Sequence, residues 1–244
     1  MLSGKILMLR KSLLETMLKT IGFCNIRGHW LYIPAINSNS VVVDLGANLG
    51  EFSKAMIKKF KAKCYAVEPN QDLFDKISDV NVKVNAAITA ADGTVSFFLS
   101  NNPESSSLIN NFEQQWGNAQ KVSVVGYCWK TMVEKLKLTN RYIDVLKIDV
   151  EGAELDLIES FDEKDIAAIK QITIEFHDWL NKNLHERTVN AIKKLTSFGF
   201  LCITDAPDHS WPIEALFVRK KNLSLNFTQK LVLKGYNQIR FLSY

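Results

Sequence analysis

The chain has few cysteines and no long apolar run, and each shortage excludes a class of protein. Its four cysteines lie far apart in 244 residues and never form a C-x-x-C pair. This spacing argues against a zinc site built from neighbouring residues and is typical of free thiols in a reducing compartment. No stretch of about eighteen apolar residues occurs, so we expect neither a membrane-spanning helix nor a signal peptide. These shortages together predict a cytoplasmic protein.

Acidic residues are missing from the last part of the chain. No Asp or Glu follows Glu214, whereas six basic residues do: Arg219, Lys220, Lys221, Lys230, Lys234 and Arg240. Apolar residues among them, such as Leu223 and Phe227, predict that this tail packs on the domain or on a partner. Weak peripheral contact with an anionic membrane surface is the alternative. The basic residues follow no nucleic-acid-binding motif, so we expect no nucleic-acid partner.

Length and apolar pattern indicate one α/β domain with an addition at each end. We divide the chain into an N-terminal helical extension (1–35), a main domain (36–220) and the basic tail (221–244). Periodicity then alternates between strand and helix along the main domain. The predicted strands are 41–43, 64–67, 82–86, 94–99, 122–125, 142–148, 171–176, 200–204 and 213–218. The predicted helices are 5–20, 51–60, 71–77, 131–138, 153–160 and 185–198.

The segment that follows the first of these strands is the most informative in the chain. It reads Asp44-Leu-Gly46-Ala-Asn-Leu-Gly50, and the next strand ends in an acid, Glu68. The two glycines let the backbone turn tightly beside a ligand at the carboxyl end of a parallel strand. The carboxylate of Glu68 can accept hydrogen bonds from both hydroxyls of a ribose. We interpret the pair of strand ends as a nucleoside pocket.

The spacing of the glycines separates several nucleotide-binding folds. The turn lacks the middle glycine of the dinucleotide fingerprint G-x-G-x-x-G, and no lysine follows it as in a P-loop. An acid inside the turn favours a cationic ligand and repels a phosphate. S-adenosylmethionine meets both requirements, because it carries a ribose for Glu68 and a positively charged sulfonium for the acid in the turn. A nicotinamide-dependent oxidoreductase is the less favoured alternative.

Five segments together resemble the FkbM type of class I S-adenosylmethionine-dependent methyltransferases. They are Val43–Gly50, Ala66–Asn70, Asn85–Ile88, Ser105–Leu108 and Leu146–Glu154. The resemblance implies a Rossmann-like, mostly parallel sheet of seven strands, with helices on both faces and the last strand antiparallel. It also implies that S-adenosylmethionine is the cofactor.

The resemblance also carries binding roles onto this chain. It implies that Asp44, Gly46, Asn48 and Gly50 hold the methionine end of the cofactor and that Glu68 holds the ribose. A last group is implied to border the adenine: Asn85, Ala86 and Ala87.

Polar residues that follow two central strands are the candidate catalytic groups. Asp149 and Glu151 follow the predicted strand 142–148, and His177 follows 171–176. A hydroxyl acceptor needs a base within hydrogen-bond reach as its proton departs, and these three residues, together with Glu175, are our candidates. We assign no metal site. A site for a hard divalent metal, built from Asp149, Glu151, Glu175 and His177, stays open as an alternative.

We interpret the sequence as a methyltransferase acting on an oxygen of a sugar or another polyhydroxylated metabolite, with a small-molecule or glycan acceptor as its partner. The preference for oxygen follows from the resemblance alone. A noncatalytic nucleoside-binding module that acts through its basic tail is the main rival.

Overall fold

The structure is a computed structural model and describes residues 12–99, 120–178, 184–204 and 213–241. The Ser105–Leu108 segment and the first residues of the predicted N-terminal helix lie outside these ranges. The strands are β1 Phe23–Ile26, β2 His29–Tyr32, β3 Val41–Leu45, β4 Lys63–Val67, β5 Val82–Val84, β6 Ala87–Ile88, β7 Gly93–Leu99, β8 Gln120–Tyr127, β9 Val145–Ile148, β10 Gln171–Phe176, β11 Phe200–Thr204 and β12 Ile213–Arg219. The helices are 12–20, Glu51–Phe60, Gln71–Lys76, Trp129–Lys135, Glu154–Ser160, Glu163–Ala168, His185–Ser197 and Phe227–Phe241. No helix within the described ranges is both long and apolar enough to cross a lipid bilayer.

A seven-stranded sheet forms the centre of the molecule, with strand order β11-β12-β10-β9-β3-β4-β5. The pairs β10–β9, β9–β3, β3–β4 and β4–β5 are parallel, and β12 runs antiparallel to both of its neighbours. The predicted fold class is therefore confirmed, including the antiparallel last strand. Parallel strands with covered faces are apolar along their whole length, and all five residues of β3 are buried.

Helices cover both faces of this sheet because successive strand residues point to opposite sides. Val41, Val43 and Leu45 of β3 pack in a core with the helices Glu154–Ser160 and His185–Ser197. Val42, between them, packs on the other face with Phe52 and Met56 of the helix Glu51–Phe60.

Two small sheets lie beside the central one. The strands β1 and β2 form an antiparallel hairpin, and β6, β8 and β7 form a three-stranded sheet. The prediction of one strand at 82–86 is wrong, because β5 ends at Val84 and the following residues lead into β6 in a different sheet. The break falls at Asn85, whose Nδ2 donates to Glu68 O and Pro69 O instead of continuing a ladder.

Several element boundaries differ from prediction. The strand expected from residue 142 begins as β9 at Val145, preceded by a single bridge between Ile143 and Ile169. The helix expected at 131–138 begins two residues earlier, at Trp129. The helix Glu163–Ala168 was not predicted, since it is short and its start depends on a reciprocal capping box between Asp162 and Asp165.

The basic tail forms a helix that packs on the domain. Its Tyr236 is almost fully buried in a core with Leu14 and Leu18 of the N-terminal helix and with residues of β11 and β12. Tyr236 Oη also donates to Thr204 O. Phe227, at the start of the same helix, is 75% exposed. The helix therefore contributes to this core through one face only.

This one-sided packing predicts a contrast between two aromatic residues of the tail helix. Tyr236→Ala should lower the free energy of unfolding by about 3–5 kcal/mol, because it leaves a cavity in the shared core. Phe227→Ala should change it by less than about 0.5 kcal/mol, because its ring is largely solvated. Urea unfolding followed by circular dichroism measures both. Equal effects of the two substitutions would show that the tail does not contribute to the core.

Candidate active site

A cavity of about 480 Å³ opens at the carboxyl ends of β3, β4, β9 and β10. Its wall includes the glycine turn after β3, Glu68 after β4 and Asp149 after β9. The turn of the β1–β2 hairpin, with Arg27, Gly28 and His29, closes another side. Ligands in open parallel sheets bind at this edge, so the topology and the cavity indicate the same place.

The glycine turn leaves no room for a side chain at Gly46. Gly46 has φ +74°, and a Cβ built on it would lie 1.7 Å from Asp149 O. The Gly46 and Ala47 amides both donate to Val67 O at the end of β4. Asn48 follows in the left-handed region, with φ +49°. The turn is thereby fixed between two strand ends, and Gly46 and Asn48 lie on the cavity wall as expected.

Glu68 is only 4% exposed, and two backbone amides fix its carboxylate. Its Oε2 accepts from the Asn48 amide and its Oε1 from the Asn70 amide, each at 2.8 Å. Burial raises the pKa of Glu68, and the two amide bonds act in the opposite direction. Each carboxylate oxygen keeps lone-pair capacity for a further donor on the cavity side.

Three of the expected binding residues lie behind the wall and not on it. Asp44 is fully buried and its Oδ2 accepts from Ser53 Oγ at 2.7 Å. Gly50 precedes the helix Glu51–Phe60 as its N-cap, and Asn85 fixes the backbone of Glu68. Ala86 and Ala87, by contrast, line the cavity. The structure thus gives Asp44, Gly50 and Asn85 positions from which they shape the wall.

Lys147 links the two ends of the cavity. Its Nζ donates to Gly46 O at 2.6 Å and lies 3.3 Å from both Asp44 Oδ1 and Asp149 Oδ2. Burial lowers the pKa of this lysine, but the two carboxylates outweigh burial and raise it above its ordinary value. The same ion pair holds the pKa of Asp149 below its usual range, against the effect of burial. The sequence signal for Lys147 as a buried counter-charge is its position inside the otherwise apolar strand β9.

Asp149, Glu151 and Glu175 line one end of the cavity, and we call them the carboxylate wall. His177 lies directly behind it. Its Nδ1 is 2.9 Å from Glu154 Oε1, and its Nε2 is 3.3 Å from Glu151 Oε2 and 3.8 Å from Glu175 Oε1. The structure therefore brings together the predicted catalytic residues. It adds Glu154, which also accepts from the amides of Val150 and Gly152.

The charges of this cluster bear on the roles expected for His177 and Glu151. Burial lowers the pKa of His177, but Glu154 and the neighbouring carboxylates outweigh burial and raise it to about 10. An imidazole with this pKa holds its proton near neutral pH, which favours a carboxylate over His177 as the base, and the catalytic role of His177 stays a prediction. Burial raises the pKa of Glu151 to about 8, and nearby carboxylates add to this effect. Glu151 also adopts a left-handed backbone conformation, with φ +52°.

His29 is a site residue that the sequence did not reveal. It begins β2, is 6% exposed and lines the cavity. Its Nε2 lies 4.0 Å from Asp149 Oδ2, and its ring packs edge-on against Phe52. Burial, followed by the charge of Lys147, lowers the pKa of His29 to about 4, so the ring is neutral. Nothing in the local sequence around His29 indicates that the hairpin folds over the site.

Comparisons with known proteins agree with this geometry. The model of the methyltransferase FkbM domain matches residues 44–202. The chain is 27% identical to methyltransferase sdnD of Sordaria araneosa, with 60% of this chain and 70% of that protein covered. It is 23% identical to the hexuronic acid methyltransferase AglP of Haloferax volcanii, with 60% of each chain covered.

Among solved structures, the fibrillarin pre-rRNA processing protein of Methanococcus jannaschii is similar with a TM-score of 0.43 and 11% identity. The match covers 84% of this chain and 73% of that one. A TM-score in this range adds nothing to the family match.

The position of Lys147 predicts a large structural effect of its removal. Lys147→Met should lower the free energy of unfolding by about 3–5 kcal/mol, because Asp44 and Asp149 lose their shared counter-charge. Lys19→Met is the matched control, since Lys19 pairs with Glu15 at 3.3 Å through a side chain that is 57% exposed. We expect about 1 kcal/mol or less for the control in urea unfolding. A cost for Lys147→Met no larger than the control's would contradict the assignment.

Proposed function

Because the chain belongs to the FkbM methyltransferase family, we propose that it methylates an oxygen of a sugar or another polyhydroxylated small molecule. S-adenosylmethionine is the cofactor of this methyltransferase. The observation that carries the choice of acceptor atom is the carboxylate wall, which can take a proton from a hydroxyl. The family match does not support the nicotinamide alternative.

The residues of the cavity suit the cofactor. Glu68 offers two fixed carboxylate oxygens to the ribose hydroxyls. Ala86, Ala87 and Phe97 give the neighbouring wall an apolar surface for the adenine. The carboxylates at the other end favour the positive sulfonium. A cavity of about 480 Å³ is also large enough for a small-molecule ligand.

Bound S-adenosylmethionine supplies the methyl group, whose bond to sulfur breaks as its bond to the acceptor oxygen forms. The chain has two tasks in this reaction. The first is to hold the acceptor oxygen in line with the methyl carbon, which supplies much of the acceleration of such displacements. The second is to accept the hydroxyl proton, for which Asp149 and Glu175 lie on the cavity wall. Glu151 lies beside them and can take this role above its pKa of about 8.

Two further observations support a polyhydroxylated acceptor. AglP, one of the relatives, is named for methylation of a hexuronic acid, which is a sugar acid. The carboxylate wall also provides several acceptors for hydroxyl donors within one cavity.

A labelled-methyl screen tests the proposal. The full chain is incubated with S-adenosylmethionine that carries a labelled methyl group and with panels of sugars, sugar acids, polyols, phenols and amines. We expect label in an ether or ester of a hydroxylated compound. Transfer only to nitrogen or carbon would overturn the oxygen assignment. Cofactor binding without transfer to any panel member would favour the noncatalytic rival.

The two carboxylate oxygens of Glu68 should contribute to cofactor affinity. Glu68→Ala should weaken binding of S-adenosylmethionine about tenfold or more, because hydrogen bonds to a charged group contribute roughly 1.5–3 kcal/mol. Glu134→Ala, which removes an exposed glutamate from the helix Trp129–Lys135, should leave the affinity unchanged. Titration calorimetry on folded proteins gives both values. An unchanged affinity in Glu68→Ala would remove Glu68 from the cofactor site.

A second prediction separates chemistry from cofactor binding. Asp149→Asn should retain most of the affinity for S-adenosylmethionine but slow single-turnover methyl transfer at least tenfold, because its charge faces the acceptor end. The experiment uses the acceptor found in the screen, and the melting temperature of the variant is checked first. A parental transfer rate would make Asp149 a purely structural residue.

A further inference from the structure

Three potential metal ligands converge at the end of the cavity that the carboxylate wall lines. One ligand atom each from Asp149, Glu151 and His177 lies within 4.8 Å of the other two. Asp149 and Glu151 come from the segment after β9, and His177 comes from the end of β10. Since β9 and β10 are parallel neighbours, their carboxyl ends place these groups together without help from a mobile loop.

The orientation of His177 is set by a residue outside this triplet. Its Nδ1 lies 2.9 Å from Glu154 Oε1, and Glu154 is in turn fixed by the amides of Val150 and Gly152. A carboxylate at one ring nitrogen is the usual partner of a metal-binding histidine, because it directs the lone pair of the other nitrogen towards the metal. Here the other nitrogen, Nε2, faces Glu151 and Glu175.

A second observation comes from the opposite wall. The ring of His29 is 6% exposed, and its Nε2 lies 4.0 Å from Asp149 Oδ2, beyond hydrogen-bond distance. His29 belongs to the N-terminal hairpin, so an imidazole from a separate element faces one of the three proposed ligands.

The local charge is also favourable for a cation. Asp149, Glu151 and Glu175 lie around His177 Nε2, and Glu154 lies on its other nitrogen. Lys147, the lysine beside Asp149, is also engaged by Asp44 and Gly46 O.

We infer that Asp149, Glu151 and His177 form a site for one divalent cation of the Mg²⁺ or Mn²⁺ class. Two carboxylates and one imidazole suit Mn²⁺ in particular, and the remaining coordination positions face the cavity. This inference rests on the proposed function in one respect: the ion would hold an acceptor hydroxyl and promote loss of its proton. Glu175, outside the triplet, remains the carboxylate that accepts this proton.

Manganese binding by the metal-free full chain tests the site without cofactor or acceptor. The protein is treated with a chelator, exchanged into clean buffer and titrated with Mn²⁺, and free Mn²⁺ is measured by electron paramagnetic resonance. We expect one saturable ion per chain, displaced by excess Mg²⁺. Glu151→Gln and His177→Asn should each weaken binding at least tenfold. Glu151 is partly exposed, so its variant serves even if His177→Asn does not fold.

A matched control distinguishes coordination from general attraction. Glu175→Gln makes the same carboxylate-to-amide change 3.8 Å from His177 Nε2 but lies outside the triplet, so it should weaken Mn²⁺ binding less than threefold. Equal weakening by Glu175→Gln and Glu151→Gln would overturn the site, as would the absence of saturable binding in the wild type. Because no cofactor or acceptor is present, failure here leaves the methyl-transfer screen as an independent test of the proposed function.

Discussion

The buried ammonium of Lys147 is the interaction on which the site depends. It joins Asp44 inside β3, the carbonyl of Gly46 in the glycine turn and Asp149 beyond β9. A lysine in an apolar strand is costly unless each of its donors finds an acceptor, and here two carboxylates and a carbonyl provide them. The glycine turn and the carboxylate wall, on two sides of the cavity, therefore share one rigid support. A shift of either strand end would move both.

Much of the fold could be predicted from local sequence. β3, β4 and β10 are buried strands bounded by glycine or acidic turns, and the helix Glu51–Phe60 has the expected bounds. Such elements are defined by periodicity and by turn chemistry at their ends. The division of residues 82–88 between two sheets was not predictable in this way. It depends on the bonds of Asn85 to Glu68 and Pro69, which are contacts between separate strands.

In the site, too, the residues at strand ends could be predicted from local sequence, whereas their positions relative to the cavity could not. Glu68, Asp149 and Glu151 could be placed at strand ends because a motif and a strand together define those positions. Whether a residue lines a cavity or lies behind it depends on neighbours far along the chain. Asp44 illustrates this, since its partners Ser53 and Lys147 turn it away from the cavity. His29 illustrates it more strongly, because only tertiary folding brings the hairpin over β9.

That hairpin lies outside residues 44–202, the segment that matches the family model. The part of the chain that matches the family model thus builds the glycine turn, Glu68 and the carboxylate wall, whereas residues 27–29 close the cavity from a separate element. Reaction chemistry and the shape of the entrance are consequently encoded in different stretches of sequence. Substitutions in the hairpin can alter which molecules fit the cavity while the carboxylate wall stays the same. In this architecture, a substitution in the hairpin changes the cavity wall while the residues of the family segment keep their mutual contacts.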